Sequence, residues 1–140
     1  MNGERDYMDK LDIVTDESGN KVVLLPEIIF SNKQNINWDD VEDYLGKYVG
    51  ELIEIAETRD IIYIGNKFPD EYGGSSYTRK TKGARAKAKA NAAQGIREMV
   101  EIATDKVYRE NHKEKHSEDA HNGWFYYVTR FAIPLYNNEK

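Results

Sequence analysis

All three histidines of this chain fall between residues 112 and 121, as His112, His116 and His121. Imidazole titrates near neutrality and is the usual general acid or base. His116 comes shortly before Asp119-Ala120-His121-Asn122-Gly123-Trp124, which places it on the approach to the last predicted strand. Arg130 lies within Tyr127-Val128-Thr129-Arg130-Phe131, where a strand would fix its direction. Cleavage of RNA by 2′-OH attack needs a base, an acid and cations for the charge that develops on phosphorus. It needs neither a metal nor a thiol. His116, Arg130 and Lys82 are the catalytic candidates, with Arg85 as a further cation and Tyr77 as a hydrogen-bonding partner of phosphate or a base-stacking platform. This reading requires His116 and Arg130 to share one water-accessible cleft. The plainer alternative is that Arg130 pairs with an acid across the sheet while His116 sits on a solvated helix end.

His112 and His116 are spaced i, i+4, and Asp119 follows, but the flanking Lys113 and Lys115 oppose a cation. No metal is expected there, and no cofactor. Gly73-Gly74-Ser75-Ser76 lacks the spacing of a phosphate-binding loop, and neither Gly-x-Gly-x-x-Gly nor Gly-x-Ser-x-Gly occurs. The chain has no cysteine, which excludes disulfides, thiol nucleophiles and Cys-ligated metals.

Charge is unevenly placed. Residues 1–70 carry 16 acids and 7 bases, whereas residues 71–140 carry 9 acids and 13 bases, within a net −5. From Ser76 to Arg97 there are seven bases and no acid: Arg79, Lys80, Lys82, Arg85, Lys87, Lys89 and Arg97. A loop and helix of this composition can follow a phosphate backbone. Tyr77, Arg79, Lys80, Lys82, Arg85 and Lys89 are therefore the candidate binding residues. The alternative is a solvated helix face.

These residues must be positioned by a chain of 140 residues, the length of one domain. Residues 1–20 read as a loose lead-in and 21–140 as a single domain. Lys21–Leu25 and Glu27–Phe30 are β-prone runs split by Pro26, which predicts an edge or irregular strand. Leu11 to Thr15 can pair back through the Asp16–Asn20 turn. Asn37 caps a helix whose apolar face is Trp38, Val41, Leu45 and Tyr48. Glu51–Glu57 and Ile61–Ile64 form a predicted hairpin, and residues 66–78 a loop. Ala84–Ala93 is a strong helix weakened at Gly95. A second helical segment carries Ile96, Met99, Val100, Ala103 and Val107 on one face. Trp124–Ile133 reads as one long aromatic strand. The fold class is α+β, with helices packed on a small antiparallel sheet. The expected core is Trp38, Leu45, Ile62, Ile64, Met99, Ala103, Trp124 and Phe131.

No apolar run approaches the ~20 residues of a membrane span. The N-terminus has no apolar region of the secretory kind. A cytoplasmic protein is expected. An unpaired apolar last strand would favour a homodimer.

Several runs together resemble a known family. They are Asp60-Ile61-Ile62-Tyr63-Ile64-Gly65, Phe68-Pro69-Asp70-Glu71-Tyr72, Ser76-Tyr77-Thr78-Arg79-Lys80, Ala86–Gln94, Asn122-Gly123-Trp124 and Arg130-Phe131-Ala132. In order and spacing, over roughly residues 21–136, they resemble a domain of large mosaic proteins of phages and conjugative elements in Firmicutes. That domain often occurs beside head-morphogenesis (MuF-type) modules and is grouped with the barnase–EndoU–colicin–RelE-like toxin nucleases. The resemblance implies a metal-independent ribonuclease fold, with Lys82, His116 and Arg130 at the matching positions. The chain departs from the pattern at Arg97, where a proline is expected, and by ending at Lys140, where the family continues into further strands. A version shortened in this way is expected to act as an interaction domain, binding RNA or a nucleic-acid-processing protein, in the manner of an anti-defence inhibitor. The alternative is an RNA-cleaving toxin domain.

Overall fold

A computed structural model of the chain describes residues 10–31, 36–74, 76–80, 82–110 and 123–134; the side chains of Ser76 and Tyr77 fall outside it. The fold is α+β, and the described strands form three small sheets.

Strands β1 (Asp12–Thr15) and β2 (Lys21–Leu24) form an antiparallel hairpin. Its turn is held by Asp16, whose carboxylate accepts from the Ser18 and Asn20 N–H groups at 2.9 Å each. This hairpin draws residues from the expected lead-in into the fold. β2 is the central strand of its sheet, not an edge, because it also pairs in parallel with β7 (Phe131–Ala132). Pro26 permits this because it lies beyond the ladder, whose last rung is Leu25 N–H donating to Ala132 O at 2.9 Å. The following segment is not a strand. Asn91, fully buried, accepts from the Ile29 and Phe30 N–H groups and donates to Phe30 O and Lys87 O. The backbone that would have joined a ladder is bound to a helix side chain instead.

Helix α1 (Trp38–Leu45) starts at Asn37, whose side chain accepts from Asp39 and Asp40 N–H, and it runs on into a 3₁₀ turn, Gly46–Tyr48. Trp38, Val41, Leu45 and Tyr48 are buried, as their spacing predicts. β3 (Leu52–Glu54) and β4 (Ile61–Tyr63) form the expected hairpin. The expected loop at 66–78 is instead two short helices, α2 (Phe68–Gly73) and α3 (Ser76–Lys80). Pro69 suits a first turn, where its missing N–H costs nothing, and Asp70 and Glu71 complement the dipole there.

Helix α4 (Ala84–Ala92) is followed by a 3₁₀ turn at Ala93–Gly95 and then by α5 (Ile96–Glu101). Gly95 therefore breaks the helix as expected. A Cβ there would sit 3.2–3.3 Å from Leu25, Leu11 and Val23, so any larger residue would have to push these side chains back. Ile96, Met99 and Ala103 are buried. Val107 is not part of their face, because the helix ends at Glu101 and Val107 is in strand β5 (Thr104–Arg109).

The predicted long strand is two strands. β6 (Trp124–Val128) pairs antiparallel with β5, and β7 pairs with β2. The change of partner occurs at Thr129 and Arg130, where Thr129 Oγ1 donates to Met99 O at 2.6 Å. The core forms between the first hairpin, α1, α4 and α5, with Ile62 and Phe131 partly buried against it. Trp124 is not in that core; it is 37% exposed.

Candidate interaction surface

Part of the basic run serves the fold. Arg79 donates from Nε to Gly73 O at 2.7 Å and pairs through Nη2 with Glu42 at 2.7 Å and Asp39 at 3.1 Å. Those partners, Asp39 foremost, hold its guanidinium above its ordinary pKa. It ties α2 and α3 to α1. Arg97 grips Glu51 with two hydrogen bonds, 2.6 and 3.1 Å, and this pairing raises it likewise. Lys89 donates to Thr78 Oγ1 at 2.9 Å and lies 5.0 Å from the Tyr72 ring centre. At least three of the seven bases are thus already committed. Lys80 and Lys82 are exposed.

The expected catalytic group is not assembled among the described residues. His116 and the other histidines lie outside them, as does the side chain of Tyr77. Arg130 is half-buried beside the β1–β2 turn, and its backbone O accepts from Val23 N–H at 3.0 Å. Asp16 is held below the usual carboxylate range, mainly by the Asn20 backbone N–H and to a smaller degree by the Arg130 charge. No ion pair joins Arg130 to Asp16 or to another acid among the described residues. Lys82 comes just before Gly83, the residue that starts α4. The far end of α4, about 13 Å away along the axis, is the end that binds Phe30 through Asn91. No side-chain contact links Lys82 to Arg130. Among the described residues no cluster of three or more His, Asp or Glu could hold a metal, and no helix is long and apolar enough to cross a membrane.

What stands out is the β5–β6 ribbon. Thr104 pairs with Val128 and Val107 with Tyr126, so Asp105 and Lys106 together oppose Tyr127. This is a bulge, and Asp105 takes the left-handed conformation it requires (φ 59°). Directly opposed residues of an antiparallel pair share a face, and faces alternate along each strand. One face therefore carries Tyr108, Phe125 and Tyr127, and the bulge turns Lys106 to the same side. That side is anchored at Asp60 in the β3–β4 turn. Its Oδ2 accepts from Tyr127 Oη at 2.7 Å, Lys106 Nζ at 2.8 Å and Thr58 Oγ1 at 2.8 Å. These donors, Lys106 foremost, bring the Asp60 carboxyl down to about 2. Lys106 also lies 4.3 Å from the Phe125 ring centre.

The opposite face carries Trp124, Tyr126 and Val128 from β6 with Val107 and Arg109 from β5. Tyr126 is 51% exposed, Val107 46% and Val128 41%. The Arg109 guanidinium lies 5.8 Å from the Tyr126 ring centre. Beside the anchored face runs an apolar groove of about 580 Å³, lined by Ile62, Ile64, Phe68, Met99, Val100 and Tyr127 among others.

The sequence reading missed this surface because it took aromatic residues to mean core. A signal was present: Trp124-Phe125-Tyr126-Tyr127 is apolar at both parities of a strand, so both faces need cover. Neither face is fully covered here: on the anchored face Tyr108 and Phe125 are also exposed.

No family model, curated protein or solved structure matches this chain.

Proposed function

We propose that the chain is a protein-interaction domain that docks its partner on the outer face of the β5–β6 ribbon. The observation that carries this reading is the exposed set Trp124, Tyr126, Val107 and Val128 with Arg109 beside them. Aromatics and arginine, without lysine or carboxylate between them, have the composition of an interface hot spot. The partner's chemistry follows: an apolar protein surface with a carboxylate placed opposite Arg109. Single-stranded RNA fits less well, because the exposed Lys80 and Lys82 are not on this ribbon and Arg109 is the one cation of this face among the described residues. The resemblance to domains of phage and conjugative-element proteins supplies the setting. A domain of this kind would act by occupying a nucleic-acid-processing protein, as an anti-defence inhibitor does.

The test starts with a photo-crosslinking residue at position 126 in the producing cell, followed by purification of the captured protein. Wild type should bind that purified partner at a 1:1 ratio. Trp124→Ser and Tyr126→Ser should each weaken binding about 30-fold, the scale of a hot-spot residue. In a parallel arm the chain is incubated with tRNA in EDTA. Cleavage by wild type that is lost in His116→Ala would replace this reading with the ribonuclease one.

A further inference from the structure

Alternate residues of β4 turn their backbone groups to opposite sides. Asp60 O accepts from Ile55 N–H at 2.8 Å, Ile62 pairs with Ile53, and Ile64 N–H donates to Glu51 O at 2.9 Å. These residues face β3. In an antiparallel ladder the residues between them turn N–H and C=O the other way. Ile61 and Tyr63 therefore offer two donors and two acceptors along the outer edge of β4. Among the described residues no strand pairs with that edge. Ile61 is 57% exposed and Tyr63 63%. The edge has no lysine, proline or bulge of the kind that blunts an exposed strand.

The apolar groove of about 580 Å³ lies under this edge, with Ile62 and Ile64 of β4 on one wall and Met99 and Val100 of α5 on another. It runs the length of the strand. Tyr127, bonded to Asp60 just before β4, lines one end, and Phe68, whose N–H donates to Gly65 O just after β4, lines the other. Unpaired backbone groups in a row select another backbone, and the groove beneath selects apolar side chains at every second residue. A small apolar molecule would fill the groove but leave the edge groups unpaired. A second copy pairing β4 with β4 about a two-fold axis would offer the groove one inward side chain, Ile62. Its Ile64 is buried in its own core and its Asp60 is held by Tyr127 and Lys106.

We propose that the outer edge of β4 takes an extended segment of a partner protein as a third strand, with apolar residues at i and i+2 seated in the groove. The residues involved are not those of the outer face of the β5–β6 ribbon, so this inference and docking on that face can fail separately.

The experiment is an NMR titration of the full-length chain with a capped heptapeptide of alternating threonine and leucine. Saturable shifts should appear at the Ile61, Tyr63 and Val100 amides, with slowed exchange at Ile61 and Tyr63. The same peptide with alanine for leucine should bind about 10-fold more weakly or worse, because the groove is left unfilled. Two further analogues are N-methylated on every threonine or on every leucine. A strand bonds β4 through one of its two edges, so one analogue should lose binding and the other keep it. Tyr63→Pro removes one outward donor and none of the bonds to β3, and should weaken the parent peptide about 5-fold. Exchange at Ile53 reports whether β3 keeps its pairing in that variant, and the methylated analogues decide on wild type if it does not. The proposal is overturned by an absence of saturable shifts, by equal binding of the two methylated analogues, or by unaltered binding in a folded Tyr63→Pro. Sedimentation showing a dimer whose Ile61 and Tyr63 amides are already protected would overturn it too, and would give the edge to a second copy.

Discussion

Two antiparallel ribbons of this molecule have similar apolar content and opposite fates. The β1–β2 hairpin buries Val23 completely, and Leu25 just beyond it to 4% exposure. The β5–β6 ribbon has the more aromatic sequence but leaves Phe125 at 56% and Tyr126 at 51% exposure. The difference lies in what each ribbon packs against. β2 gains β7 on its open edge and α5 on its face, and Gly95 lets the helix connection approach it closely. The β5–β6 ribbon is fastened by its polar anchor at Asp60 and by the Thr129 bond to Met99 O. Burial is set by the cover a strand finds, and residue type only raises the demand for it.

The largest expected effect tests the covered ribbon. Leu25→Ala should destabilise the fold by about 3 kcal/mol, the cost of emptying a well-packed leucine site. Trp124→Ala should cost no more than about 1 kcal/mol, despite its larger side chain, because its site is half-open. Urea unfolding of the two variants measures both. A Trp124→Ala loss as large as that of Leu25→Ala would place the ribbon inside the core and remove it as a docking face.

Asn91→Ala comes next. The side chain satisfies two backbone donors and two backbone acceptors, and Ala would leave the part-buried Ile29 and Phe30 N–H groups without these partners. A loss of about 2–3 kcal/mol is expected. Faster hydrogen exchange should appear at Ile29 and Phe30 while the β5–β6 amides stay unchanged. An equal change in both regions would mean the two ribbons open as one unit.

The sequence made the helices legible where a cap and a 3.6-residue period coincide. Asn37 and the Trp38, Val41, Leu45, Tyr48 face fell where expected, and Gly95 broke the helix pair. The β3–β4 hairpin was equally legible from its β-prone runs and short polar turn. Partnerships made over long distances were not legible. Nothing local in Lys21–Leu24 tells that it will meet Phe131 in parallel, or that Asn91 will take the backbone of residues 29 and 30. The candidate site was missed for the same reason. Charge density marked residues 76–97, but Arg79, Lys89 and Arg97 find partners up to 46 positions away, at Asp39, Thr78 and Glu51.

The smallest expected effect concerns the anchor that sets the exposed ribbon apart. Asp60 receives Lys106, Tyr127 and Thr58 on one oxygen, and these bonds lower its carboxyl from 3.8 to about 2. A carboxyl depressed by folding contributes stability that is present above its unfolded value and lost as pH falls through its folded value. The anchor should thus hold fully above about pH 4 and be released as pH falls toward 2. In the β1–β2 hairpin Asp16 is also lowered, chiefly by the Asn20 backbone N–H, but its bonds are local to its own turn and do not join it to the core. Acid should therefore loosen β5–β6 before β1–β2. Amide exchange at low pH, followed residue by residue, would show protection falling first at Tyr126 and Tyr127. Asp60→Asn should give the same loosening at neutral pH and remove the acid dependence of the ribbon. Lys106→Met should give a weaker version, since Tyr127 and Thr58 would remain on the carboxylate. If Tyr126 and Val23 lose protection together in wild type, the Asp60 anchor is not a separate fastening, and the contrast between the two ribbons is one of exposure alone.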